Sequence, residues 1–205
     1  MENNNFQETE IKFYIRNLPE LEKRLQDLDA VLLQPRTHEM NWRFDSPDHG
    51  LTKSYQVLRL RRDKKCHLTY KGPADPNSEV SVRKEIEFEV NNSQAARQFL
   101  EALGFQVSVM YEKFRTVYRL DSAEISLDEM PYGNFVEIEA PKIQLIKTTS
   151  EKLDLNWGAR CKLSYLALFN TLREKSKLSA SDLLFEEMQG TQFSAQDFNL
   201  SAGDG

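Results

Sequence analysis

Cysteine and histidine are scarce and scattered in this chain of 205 residues: Cys66 and Cys161 lie far apart, and His38, His49 and His67 do not cluster. Neither set has metal-ligand spacing, so two reduced thiols are expected rather than a disulfide or a zinc pair, and no catalytic triad can be built from the histidines. No apolar run approaches the roughly 20 residues that cross a bilayer. Met1-Glu2-Asn3-Asn4-Asn5 lacks the basic and apolar pattern of a signal peptide, and a cytoplasmic protein without membrane partners is expected. Basic excess is missing too. A net charge of -5 argues against a sequence-independent nucleic-acid binder, although a local basic site remains open. Seven prolines and eight glycines do not gather into a linker, which favours one domain over two.

What the chain does contain is alternation. In Phe6 to Ile15 a strand puts Glu8, Glu10 and Lys12 on one face and Ile11, Phe13 and Ile15 on the other. Alone, this reads as an edge strand with a solvated charged face. The pattern then recurs. Arg59 and Arg61 alternate with Leu58 and Leu60; Thr69 and Lys71 share a face; Arg83, Glu85, Glu87 and Glu89 oppose Val82, Ile86, Phe88 and Val90. Phe105 to Leu120 carries Lys113 and Arg115 on one side, with imperfect alternation at Val117 and Glu112. Ile125 to Asp128 and Val136 to Glu139 complete the strands, and Val31 to Asp45 reads as one long strand or a pair.

Leu18, Leu21, Leu25 and Leu28 predict one helix, and Ala96, Phe99, Leu100 and Leu103 a second, stopped at Gly104. Leu51 to Ser54 is assigned to a loop after the turn signal Ser46-Pro47-Asp48-His49-Gly50. The order strand, helix, further strands occurs twice and suggests an internal duplication. From Lys142 the pattern turns helical, most clearly over Leu163 to Lys175. The Ser-, Gln- and Asp-rich segment 176–205 is expected to be mobile or weakly docked.

Each charged face is backed by apolar residues, and the two helices have apolar stripes able to cover them. If the helices pack outside, the charges face inward. An antiparallel sheet curled into a closed or nearly closed barrel, an α+β fold with a charged tunnel, satisfies both. Carboxylates about 4 Å apart repel by roughly 4 kcal/mol at an effective dielectric near 20, so such a tunnel needs cations. The basic residues alone could supply them by simple pairing. A use for both signs is a polyanion with its metal: Arg and Lys neutralise phosphoryl oxygens while carboxylates hold Mg²⁺ or Mn²⁺. The number of basic groups suits a triphosphate.

These residues resemble the CYTH domain, or triphosphate tunnel metalloenzyme, family, which includes class IV adenylyl cyclases, thiamine triphosphatases and inorganic tripolyphosphatases. The family signature Glu-x-Glu-x-Lys stands as Glu8-Thr9-Glu10-Ile11-Lys12, followed by Leu58-Arg59-Leu60-Arg61, Thr69-Tyr70-Lys71-Gly72-Pro73, Arg83 with Glu85-Ile86-Glu87, Lys113-Phe114-Arg115, Leu127-Asp128 and Gly133 to Glu139. Ser164-Tyr165-Leu166 is similar to a C-terminal helix motif of bacterial and archaeal members. The resemblance implies an eight-stranded antiparallel tunnel over residues 1–175 that binds a triphosphate and a divalent metal. By position it implies metal ligation by Glu8, Glu10, Asp128, Glu137 and Glu139. Phosphate contacts would come from Lys12, Arg59, Arg61, Lys71, Lys113, Arg115 and Arg83. Lys12, Glu85 and Glu87 are the implied catalytic residues, the glutamates by a second metal or by orienting water. One departure is Arg43 in Asn41-Trp42-Arg43-Phe44-Asp45, where animal thiamine triphosphatases resemble Asp-Thr-Tyr-Tyr-Asp; this weakens thiamine triphosphate as substrate and offers another phosphate contact.

Three functions compete on these residues: metal-dependent hydrolysis of tripolyphosphate or a nucleoside triphosphate, cyclisation of ATP to cyclic AMP and pyrophosphate, and polyphosphate binding without turnover. The carboxylates favour the first two, since anion binding alone gains nothing from them. No nucleic-acid partner is expected, and a homodimer is left open.

Overall fold

Two helices begin by the same chemistry: Asn17 and Asn92 each accept a backbone N–H three residues on, from Glu20 at 3.2 Å and Ala95 at 2.9 Å. They occupy equivalent places in a repeated pattern. The computed structural model describes residues 6–178 and 180–205; Met1 to Asn5, read above for a signal pattern, and Ser179 of the tail lie outside them. The first unit is β1 (Gln7–Ile15), α1 (Leu18–Asp27), β2 (Val31–Asp45), a helical turn α2 (Gly50–Lys53), β3 (Val57–Arg62) and β4 (Cys66–Lys71). The second is β5 (Ser81–Glu89), α3 (Ser93–Ala102), β6 (Gln106–Leu120), β7 (Ala123–Met130) and β8 (Gly133–Glu139), with α4 (Ile143–Lys152) and α5 (Tyr165–Ser176) after it.

The eight strands close in the order β1-β5-β4-β3-β2-β6-β7-β8, antiparallel throughout. Exchanging β1 to β4 for β5 to β8 returns the same closed order, so the connectivity has the twofold pattern that an internal duplication produces.

Parity decides which residues meet water and which meet helices. Ile11, Phe13, Ile15, Ile125, Val136 and Ile138 point outward and are buried under Leu21 and Leu25 of α1 and Ile146 of α4. On the other side, Leu100 of α3 covers Phe44 and Leu60. The interior is layered. Glu8, Glu10 and Lys12 of β1 face inward, but the next residue of that parity is Tyr14. Its ring meets Phe135 edge-on at 5.4 Å, and both join Leu168, Phe169 and Leu172 of α5 in an apolar cluster. The barrel is therefore charged at one level and stopped by aromatic packing at the next.

Two expectations change. Leu51 to Ser54, assigned to a loop, contains most of α2, because the Asp45 carboxylate accepts the N–H groups of Leu51 (2.9 Å) and Thr52 (3.0 Å) and so nucleates a helical turn. The tail, expected to be mobile or weakly docked, packs closely where it is described: Leu183, Met188 and Phe198 are buried. The reason is the stagger of the barrel. β5 pairs with β1 only over Gln7 to Glu10, and β7 pairs with β6 only from Phe114 onward. Beyond those limits both strands have an open edge, which a chain segment can pair. Gly203 N donates to Tyr14 O (2.8 Å), and Leu183 N to Met110 O (2.9 Å). A Cβ on Gly203 would lie 2.8 Å from Phe13 Cβ, so this close approach requires glycine.

Among the described residues no helix is long and apolar enough to cross a membrane.

Candidate functional site

The inward faces of all eight strands enclose a cavity of about 330 Å³. Register brings the side chains into rows. Glu10 of β1 lies opposite Glu139 of β8, which lies opposite Glu124 of β7, giving three carboxylates across three neighbouring strands. One level further along β1, Lys12 opposes Glu137, and Glu137 opposes Ser126. Arg43 of β2 opposes Arg59 of β3, Arg59 opposes Thr69, and Thr69 opposes Glu87. In the closed order β8 is four strands from β3, and β1 four from β2. The carboxylate row and the Arg43–Arg59 row thus stand on opposite walls.

Most of the carboxylates are paired. Lys71 Nζ contacts Glu8 at 2.5 Å and Glu85 at 3.1 Å, and Arg83 reaches Glu8 at 3.1 Å. Lys12 Nζ lies 2.6 Å from Glu10 and 3.0 Å from Glu137. Arg59 and Arg61 share Glu87, at 3.3 and 3.0 Å. Arg115 bridges Asp128 and Glu137, each at 2.5 Å.

Pairing is uneven, and protonation reports where. Burial would raise Glu137 and Asp128, but it is outweighed at Glu137 by Lys12, Arg115 and Lys113 and at Asp128 by Arg115 and Lys113; both stay below the usual carboxylate range. Glu139 goes the other way. Burial, then the charges of Glu8, Glu10 and Glu124, push it up to about 8. Burial and its hydrogen bond to Glu8 lift Glu85 to about 7. On the opposite wall the imbalance has the other sign. Burial together with Arg59 and Arg83 lowers Arg43, and Tyr111, despite burial, is drawn down by Arg59, Lys113 and Arg43. Arg59 Nη1 donates to Tyr111 Oη at 3.4 Å.

The negative charge that Glu8, Glu10 and Glu124 place around the buried Glu139 is what a hard divalent cation with oxygen ligands would relieve, so the donor set fits such a metal in kind. Among the described residues, however, no three His, Cys, Asp or Glu side chains already converge as a ligand group.

Of the residues singled out from sequence, Glu8, Glu10, Lys12, Arg59, Arg61, Lys71, Arg83, Glu85, Glu87, Lys113, Arg115, Glu137 and Glu139 all line the cavity. Asp128 does not. It faces inward like Glu124 and Ser126 but is fully buried beneath the cavity's lining, where it accepts hydrogen bonds from Lys113 (3.0 Å), Arg115 (2.6 Å) and Tyr165 Oη (2.7 Å). Sequence reasoning missed Tyr111, Glu124, Glu39 and Asn41, and it gave Tyr165, which also lines the cavity, only as part of the motif Ser164-Tyr165-Leu166. Parity alone would have found Tyr111, two residues before Lys113, and Glu124, four before Asp128.

Three comparisons accord with this geometry. The CYTH domain family model matches residues 7–156. A Methanocaldococcus jannaschii protein provisionally named as an adenylate cyclase is 30% identical over 135 residues, which span 64% of this chain and 75% of that protein. Among solved structures, a Vibrio parahaemolyticus protein also provisionally named as an adenylate cyclase superposes with a TM-score of 0.70 at 19% identity, covering 80% of this chain and 97% of its own. An adenylyl cyclase candidate from Hippeastrum, described as having a dominant triphosphatase activity, gives 0.60 at 21% identity over 80% and 95% of the two chains. At those identities the two structures speak for the fold.

Proposed function

This chain belongs to the CYTH domain family, and from that premise we propose that its tunnel binds a triphosphate with a divalent metal and hydrolyses the terminal phosphoanhydride of tripolyphosphate or a nucleoside triphosphate. The observation that carries this reading is the pair of opposed walls, one with carboxylates short of cations and one with Arg43, Arg59 and Lys113 gathered around Tyr111. A polyanion held by the basic wall, with a divalent cation held by the carboxylates, would relieve both. Simple pairing explains Glu137 and Asp128 but leaves Glu139 and Arg43 unrelieved.

Glu10, Glu139 and Glu8 are the residues we assign to the metal, either Mg²⁺ or Mn²⁺, with Glu137 beside them and Glu124 added from the structure. When bound, the cation supplies charge neutralisation at the phosphates and a water of lowered pKa. Arg59, Arg61, Arg115, Lys113, Lys71 and Arg83 take the phosphoryl oxygens, and Arg43 extends that set. Preorganised guanidinium groups act mainly by stabilising the charge that builds up during phosphoryl transfer. Glu85, lifted to about 7 although Lys71 contacts it, is the better placed of the two glutamates to accept a proton from the attacking water, because Glu87 is held by Arg59, Arg61 and Thr69 and stays below the usual carboxylate range. Lys12, between Glu10 and Glu137, holds both carboxylates in position. Asp128 moves from the metal set to a supporting role, holding Lys113 and Arg115.

A second reading, cyclisation of ATP, is favoured by the name of the Methanocaldococcus relative. The two separate on products: incubation with tripolyphosphate and with ATP, each with Mg²⁺ and with Mn²⁺, should release orthophosphate. Cyclic AMP and pyrophosphate without orthophosphate would replace hydrolysis by cyclisation.

A further inference from the structure

A second cavity of about 360 Å³ adjoins the tunnel, and Arg61, Arg115 and Glu124 line both. Its wall includes Glu39 of β2, whose side chain is 1% exposed although neither carboxylate oxygen has a hydrogen-bond partner among the described residues. Its nearest cations, Arg61 Nη1 at 3.8 Å and Lys113 Nζ at 3.7 Å, are beyond hydrogen-bond reach. Asn41, two residues along the same face, is fully buried and equally unpartnered at both side-chain atoms. A buried carboxylate without partners costs free energy that an occupant with hydrogens to donate would recover.

The sign and type of these groups narrow the occupant. The Glu39 carboxylate offers hydrogen-bond acceptors and repels a phosphate placed against it, so the phosphates keep to Arg61 and Arg115, although Lys64, Lys65 and His67 also line this cavity. Leu33 and Val117 add apolar wall, which suits the carbon skeleton of a ring. A molecule spanning both cavities would carry phosphates next to Arg61 and Arg115 and hydroxyl groups next to Glu39. Resting on the triphosphate reading of the tunnel, we propose that the second cavity receives the sugar of a ribonucleoside triphosphate, its hydroxyls donating to Glu39. A carboxylate facing a vicinal diol makes two charge-assisted hydrogen bonds, which a bare tripolyphosphate cannot offer. Glu39 thereby distinguishes nucleotide from inorganic substrate.

Calorimetric binding in Mg²⁺ tests this with three ligands whose bridging oxygens are replaced by methylene so that none turns over: the tripolyphosphate analogue, the ATP analogue, and the 2′,3′-dideoxy form of the ATP analogue. Wild type should bind the ribose form at least about tenfold more tightly than the dideoxy form, the value of hydrogen bonds to a charged group. Glu39→Ala, and independently the isosteric Glu39→Gln, should shrink that ratio while still binding the tripolyphosphate analogue. Because the ratio compares two ligands on one protein, a general change of charge in the tunnel cancels. Equal affinity of wild type for the two nucleotides, or an unchanged ratio in both variants, would overturn the proposal and leave Glu39 as a charge partner of Arg61 and Lys113. Binding of the tripolyphosphate analogue but of neither nucleotide would overturn it alone. Failure of all three ligands would remove the triphosphate reading as well.

Discussion

Tyr165 Oη donates a 2.7 Å hydrogen bond to Asp128 Oδ2, tying the first residue of α5 to a carboxylate buried inside the barrel beneath the tunnel's lining. The same oxygen accepts from Lys113 and Arg115, and the ammonium groups of Lys12 and Lys113 lie 5.4 and 5.2 Å from the Tyr165 ring centroid. Asp128 is the point at which α5, packed on the aromatic floor of the barrel, fixes two cations in the tunnel.

Asp128→Asn preserves shape and removes the charge, so Lys113 and Arg115 lose a buried partner. A loss of about 3–5 kcal/mol in urea unfolding is expected. The KM for tripolyphosphate should rise, while the Mg²⁺ concentration giving half-maximal rate stays close to wild type. A shift of about tenfold or more in that concentration would return Asp128 to the metal set.

Stability should depend on pH in the direction set by Glu139. Its folded-state pKa of about 8 stands above the ordinary 4.5, so between those values the folded state holds a proton that the unfolded chain has released. Stability therefore falls as pH rises through that window. The metal-free protein should show a decreasing Tm from pH 5 to 8 by calorimetry, to about the folded-state pKa. Added Mg²⁺ should flatten the decline, and Glu139→Gln should remove its share of it. A Tm indifferent to Mg²⁺ across the window would contradict the excess of negative charge at this wall.

The described tail closes edges that the barrel leaves open, and its anchors are buried aromatic and aliphatic groups. Phe198→Ala should cost about 3–5 kcal/mol in denaturant unfolding. A change below about 0.5 kcal/mol, the range of surface substitutions, would show that the tail does not contribute to the folded core.

Much of this was legible in the sequence because a strand's alternation survives wherever pairing is regular. β1, β3, β4, β5 and β8 display their inward residues without interruption, and with them most of the site. β2 hid its share. Its pairing with β6 shifts register between Leu32 and Gln34 and again between Gln34 and Thr37, around Pro35, so Glu39, Asn41 and Arg43 were not tied to a face. Glu112 broke the pattern of β6 for a tertiary reason: it faces outward, accepting from Phe185 N at 2.7 Å and pairing with His38. The tail's docking was unreadable because the edges it pairs exist only once the barrel has closed with its stagger. Nor does alternation tell an inward carboxylate that reaches the cavity from one sealed beneath its lining, which is where Glu137 and Asp128 differ.

Orthophosphate release from tripolyphosphate in Mg²⁺, compared among wild type, Glu10→Ala and Arg59→Ala, tests the central claim most directly. Each variant disables one of the two opposed walls. Wild type should turn over, and each variant should lose about 10²–10³ in rate, the scale of removing a preorganised charge contact from a transition state. Equal rates in all three proteins would contradict the account.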